Sequence, residues 1–177
     1  MKGISENAPI TTMGAITNAT TGYGGVTVPV TVVNFVSIGS VNLTFKFDTT
    51  KVRYVSATPN SAFSGMIVTY YRGTSSSMGK IVISWNATTN ITLPDQTHLV
   101  DLTFTYIGTT APLTWLFTGN FNGSPNVCQY KRYISGSSYN TLYDSPQLYF
   151  YINGGVSNRA APVTMAPVIA NAVTGDY

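Results

Sequence analysis

From Val41 to Phe47 the chain alternates without a break: Val41, Leu43, Phe45 and Phe47 are apolar, while Asn42, Thr44 and Lys46 are polar. Side chains along a β-strand point to opposite faces with a period of two, so this segment sorts into a dry face and a wet face only as a strand. The pattern recurs along the chain. Val26 to Asn34 sets Val26, Val28, Val30 and Val32 on one face. Val52 to Thr58, Met66 to Arg72, Lys80 to Asn86, Leu99 to Ile107, Leu113 to Phe117 and Gln147 to Ile152 also read as strands, with Ile10 to Ile16 as a first one. Turn residues such as Pro59-Asn60-Ser61 and the Gly/Ser-rich stretch Gly73 to Gly79 separate them. No long segment holds an apolar stripe at helical spacing. Short strands joined by turns predict an all-β sandwich, not βαβ units.

Two regions leave the pattern. Thr118 to Pro146 is a Gly/Asn/Ser/Tyr-rich excursion, and loops of such length either carry function or conceal short strands. Ser157 to Tyr177, rich in Ala, Pro, Val and Thr, follows Gly154-Gly155 and reads as a linker. The expected division is a tail over 1–7, one domain over 8–156 and a linker over 157–177. The start, Met1-Lys2-Gly3 followed by polar residues, lacks the apolar run of a secretion signal. The chain is therefore expected to be a piece of a larger protein, exported by a segment lying elsewhere.

Charge excludes several classes of function. Charged residues make up 8% of the chain, and the tightest basic cluster is Lys131-Arg132, too small an electrostatic footprint for a nucleic-acid binder. No apolar run approaches membrane-spanning length, so no membrane insertion is expected. Catalytic machinery is equally thin. His98 is the one histidine, and Asp95, His98 and Asp101 form the only local acidic cluster, reading as a Pro-Asp turn beside a solvated strand edge. No nucleophile elbow, paired carboxylates, zinc-ligand spacing or calcium loop occurs, so neither an enzyme nor a resident cofactor or metal is expected. Gly22 to Gly25 precedes a strand and reads as a turn, not a phosphate cradle. Cys128, the only cysteine, reads as a small apolar core residue.

Three stretches carry a resemblance to a known family. They are Val26-Thr27-Val28-Pro29-Val30-Thr31-Val32; Gly39 to Asp48 with its Phe45-Lys46-Phe47-Asp48 end, followed by Lys51-Val52-Arg53-Tyr54-Val55 and Thr58-Pro59; and Phe150-Tyr151-Ile152-Asn153-Gly154-Gly155-Val156. Between them Lys80 to Asn86, Leu99 to Tyr106 and Pro112 to Phe121 fit in order. In that order and spacing, over residues 8–156, the chain resembles a cohesin module, the receptor half of the cohesin–dockerin pair.

The resemblance implies a nine-stranded jelly-roll sandwich at the cell surface or outside the cell, docking a dockerin-bearing protein on a flat sheet face. The partner would carry calcium, and this chain would need no cofactor. The positions implied for partner binding are Ser40, Asn42 and Thr44, Tyr71 and Arg72, Val82, Ser84 and Asn86, and Leu116. Alternation sends one of Tyr70 and Tyr71 outward, taken as Tyr71, and sends Trp85 and Trp115 into the core. Two other readings stand beside this one. A carbohydrate-binding module would stack sugars on some of the 12 Tyr and 2 Trp, and polysaccharide could also be held through neighbouring modules. An adhesin spacer would serve reach alone.

Overall fold

The computed structural model describes residues 7–22, 25–73, 77–121 and 123–158. In chain order its elements are β1 (Ile10–Met13), β2 (Ala15–Ile16), β3 (Gly25–Val33), β4 (Ile38–Asp48), β5 (Val52–Pro59), β6 (Ile67–Arg72), β7 (Met78–Ile91), β8 (Thr97–Tyr106), β9 (Ala111–Trp115), β10 (Asn120–Phe121), β11 (Ser124–Pro125), β12 (Gln129–Ser135), β13 (Ser138–Thr141), the single helical turn α1 (Gln147–Phe150), β14 (Tyr151–Ile152) and β15 (Gly154–Val156). One sheet runs β14-β1-β3-β8-β5. The other forks at β4: β7 and then β6 lie along one side, while the opposite side carries β12-β13 at one end and β9-β15-β2 at the other.

The two sheets face each other across the alternating apolar positions. Val28, Val30 and Val32 of β3 and Leu102 and Phe104 of β8 meet Leu43 and Phe45 of β4 and Ile81 and Ile83 of β7, all buried. Burying each such side chain contributes about 1.5–3 kcal/mol. Phe45 meets Trp115 edge-on, with ring centroids 5.6 Å apart. Trp85 likewise takes Phe63 edge-on at 5.0 Å, and its indole N–H donates to the Ser64 carbonyl. Both tryptophans are in the core, as alternation required.

The all-β sandwich expectation holds, but the strand count differs from nine. The first predicted strand is broken at Gly14, leaving β1 in one sheet and β2 in the other. The closing strand divides at Asn153 in the same way. The backbones cross so closely there that a Cβ on Gly154 would collide with the carbonyl oxygens of Met13 and Gly14, and one on Gly14 would lie 2.7 Å from Pro29 Cδ. The excursion from Thr118 to Pro146 conceals four short strands, β10 to β13. Gln147 to Phe150, expected as strand, is a helical turn: Leu148 and Tyr149 are both exposed, and no sheet partner is met until Tyr151 pairs with Thr11.

The pairing runs slightly beyond the expected domain limits. Asn7 bridges Tyr143, and Ser157 donates to Ile16 and accepts from Ala19. The rest of the expected tail and linker, residues 1–6 and 159–177, lies outside the described residues, as do 23–24 of the predicted turn and 74–76 of the predicted loop.

Candidate functional site

The outer face of the β6-β7-β4 sheet is a grid of cross-strand rows. Tyr71, Lys80, Lys46 and Thr114 form one row; Thr69, Val82 and Thr44 the next; Ile67, Ser84, Asn42 and Gln129 a third; Asn86, Ser40, Lys131 and Thr141 a fourth. Their sequence neighbours Val41, Leu43, Phe45, Ile81, Ile83 and Trp85 are all buried in the sandwich. Register therefore fixes these rows on the outside. Ile67 is 61% exposed at the open edge of the third row.

Part of this face is covered by the chain itself. After β9 the backbone turns over the first two rows through the β10-β11 hairpin. Lys80 lies beneath it with no exposed surface. Its Nζ donates to the Ser124 carbonyl at 2.9 Å and is near the Phe121 carbonyl at 3.5 Å and Asn126 Oδ1 at 3.4 Å. The ammonium also sits 5.1 Å from the Tyr71 ring centroid and 5.7 Å from that of Phe121, within cation–π range. No carboxylate is among these partners, and burial holds the amine's pKa below the ordinary lysine value. Farther along, Thr44 Oγ1 accepts from Val127 N–H, while Cys128 Sγ donates to the Thr44 carbonyl.

This cover changes the standing of several predicted positions. Thr44 is fully buried and Ser40 is 6% exposed, so neither is presented to solvent as outward phase alone implied. Thr44 is covered by the returning chain, and Ser40 sits in its row between Asn86 and Lys131. Arg72 falls one residue out of phase with Tyr71 and lines a cleft beside Tyr70, so the two do not share a face. Asn42 is half-buried, and its Oδ1 is buried without a hydrogen-bond partner. Tyr71, Val82 and Ser84 are half-buried on the grid, Asn86 is exposed, and Leu116 is half-buried with its N–H donating to the Thr44 carbonyl. Sequence reasoning passed over Ile67, Thr69 and Lys80. Their phase with Tyr71 and Val82 was the available signal.

The remaining reactive groups have structural roles. Asp95 Oδ1 accepts the Asn34 N–H in a turn. His98 and Asp101 pair at 2.8 Å on the exposed side of β8, on one face because Leu99 bulges out of register with β3. Cys128 is buried, and burial pushes its thiol pKa up to about 12. Among the described residues no group of three His, Cys, Asp or Glu could hold a metal ion, and no helix is long and apolar enough to cross a membrane.

Known structures share this architecture. A type I cohesin–dockerin complex from Clostridium thermocellum matches with a TM-score of 0.57 and 10% identity over 85% of this chain and 99% of that one. The seventh ScaB type I cohesin from Pseudobacteroides cellulosolvens matches at 0.58 and 13%, over 89% and 97%. A non-cellulosomal cohesin from the archaeon Archaeoglobus fulgidus matches at 0.52 and 15%, over 84% and 88%. A search of curated proteins found no match. The model of the cohesin domain, a non-catalytic interaction module, matches residues 15–137. With the two-sheet sandwich and the order of its strands, that match establishes that the chain belongs to the cohesin domain family.

Proposed function

We propose that this domain is a receptor for a dockerin-bearing protein, docked on the uncovered part of the β6-β7-β4 face. The observation that carries the reading is the third row: exposed Ile67 lies beside half-buried Ser84 and Asn42 on the outer face of the sheet. An apolar anchor next to polar groups still able to bond fits the make-up of a docking patch. Tyr71, Val82 and Asn86 extend the patch, with Leu116 at its margin. On this reading the dockerin holds calcium, this chain holds none, and the pair assembles enzymes into a complex outside the cell or on its surface.

The test is calorimetric titration with a panel of calcium-loaded dockerins, before and after EDTA. One of them should bind, lose binding with the chelator and regain it with calcium, while the melting temperature of this domain stays unchanged. Ser84→Asp places an unpaired charge in the desolvated patch and should weaken that dockerin by about 2–5 kcal/mol. Undiminished binding by this variant would remove the face from the interaction.

A further inference from the structure

The charged side chains in the four rows of the outer face are all lysines: Lys46 and Lys80 in the first row, Lys131 in the fourth. Lys80 is already bonded beneath the hairpin. Lys46 and Lys131 are half-buried, and neither makes a hydrogen bond, ion pair or cation–π contact with a described residue. Register puts both on the outside: Phe45 and Phe47 flank Lys46 and are buried in the sandwich, as is Tyr130 beside Lys131. Given the docking role proposed above, on which this rests, we infer that the docked protein is acidic at both ends of its contact surface. It sets Asp or Glu carboxylates against Lys46 and Lys131, with a neutral, partly apolar stretch between them.

The domain's own carboxylates do not answer these charges. Among the described residues each is engaged elsewhere: Asp95 accepts the Asn34 N–H, Asp101 pairs with His98, and Asp144 accepts the Tyr151 hydroxyl. Asp48 follows Lys46 in the same phase of β4, but its Oδ1 accepts the N–H and hydroxyl of Thr50. The cation beside its Oδ2 is Lys51, at 4.0 Å. Lys46 also lies directly opposite Lys80 across the two strands. Like charges so placed repel, and the hairpin gives Lys80 carbonyl oxygens in place of a counter-charge. A carboxylate is what this end of the face lacks.

Spacing narrows the partner further. Lys46 and Ser40 stand toward opposite ends of the outer face of β4, about 20 Å apart at about 3.3 Å per residue. Lys131 pairs with Ser40. The rows between are uncharged: Thr69, Val82 and Thr44, then Ile67, Ser84 and Asn42. A uniform polyanion would press most of its charge onto that neutral middle and lose hydration there without a counter-ion. A protein surface with carboxylates at its two ends and small or apolar residues between them matches the whole face. Charges placed in this way steer encounter and fix register.

The test titrates the full chain with calcium-loaded dockerins in two sets, one with net acidic exposed helix faces and one with net basic faces. Calorimetry at low and high salt reads the affinities. The tightest binder should come from the acidic set and weaken at least about threefold with added salt. Lys46→Glu and Lys131→Glu should each lower its affinity about tenfold or more. Arg53→Gln, which removes a charge from the opposite sheet, should leave affinity intact. Exchanging one dockerin carboxylate for Lys should restore binding to one of the two Glu variants, which also shows that the variant is folded. Tightest binding by a basic dockerin, indifferent to both Glu variants, overturns the inference and leaves the docking role standing. Equal loss in Arg53→Gln overturns it as well, since net charge alone would then account for the attraction. Binding by neither set removes the docking role, and this inference with it.

Discussion

Lys80 Nζ donates to the carbonyl oxygen of Ser124 at 2.9 Å, tying the start of β7 to a hairpin 44 residues farther along the chain. The bond tethers the cover that lies over part of the outer face of the β6-β7-β4 sheet. Lys80→Met keeps the side chain's length and removes its donors, leaving backbone carbonyls of the hairpin unpaired. The expected cost is about 1–3 kcal/mol in urea unfolding at neutral pH. The pH dependence has a definite sign. Burial lowers the folded-state pKa of Lys80 below 10.5, so the unfolded chain holds that proton to higher pH. Raising the pH through the window just below 10.5 therefore favours folding, and the wild type's advantage over Lys80→Met should widen there. An advantage constant from pH 8 to 10.5 would refute the lowered pKa.

Asn42 makes a paired prediction. Its Oδ1 is buried without a donor, so a β-branched apolar residue of similar size loses little. Asn42→Val should leave stability within about 1 kcal/mol of wild type, or raise it. Asn42→Asp buries a charge instead and should cost at least about 2 kcal/mol. Asn42→Asp should also weaken a docked partner, which would meet an uncompensated charge in the row. Denaturation and calorimetry on the same two variants separate the effects.

What the sequence made legible follows from element length. β3, β4, β7 and β8 span several periods of alternation, and their core faces could be named residue by residue: Val28, Leu43, Ile83 and Leu102 are all buried. β10 and β11 have two residues each, less than the evidence a period-two pattern needs. The hidden hairpin then obscured part of the face. Thr44 and Lys80 lie in the outward phase and look solvated until chain from residues 121–128 is laid over them. β7 also outran its expected end at Asn86, because Thr88, Thr89 and Asn90 carry no apolar signal although the strand continues to Ile91. Arg72 was set beside Tyr71 among the implied binding positions, against the alternation that separates the two.

Gly154→Ala should be among the most damaging single-atom changes in the domain. The added methyl would strike the carbonyl oxygens of Met13 and Gly14, backbone atoms that cannot turn aside. A loss of about 3 kcal/mol or more is expected by chemical denaturation. A change below about 1 kcal/mol would mean that the crossing is looser than drawn.

Cys128 should be inert while the domain is folded. Its thiol is buried and held up to about 12, so no thiolate is available at pH 8.5. Iodoacetamide should label the protein only as fast as it unfolds, and urea should accelerate labelling in step with loss of structure. Because the unfolded thiol ionises near 8.5 and the folded one does not, Cys128 lowers stability as the pH rises above that value. Replacement by Ala should remove this alkaline component.

The crossing at Gly14 and Asn153 also constrains the order of assembly. Thr11 pairs with Tyr151 and Ala15 with Gly155, so each sheet receives a strand from the first residues of the domain and one from the last. Contacts between such distant parts of a chain are costly to bring together and form slowly. A chain threaded out residue by residue has both sheets incomplete until residue 156 emerges. Until then β1 lacks its β14 neighbour and β9 its β15 neighbour, each an unpaired edge open to the wrong partner. Completion comes with the final few residues, and nascent chains stopped short of Tyr151 should remain sensitive to protease however long they wait.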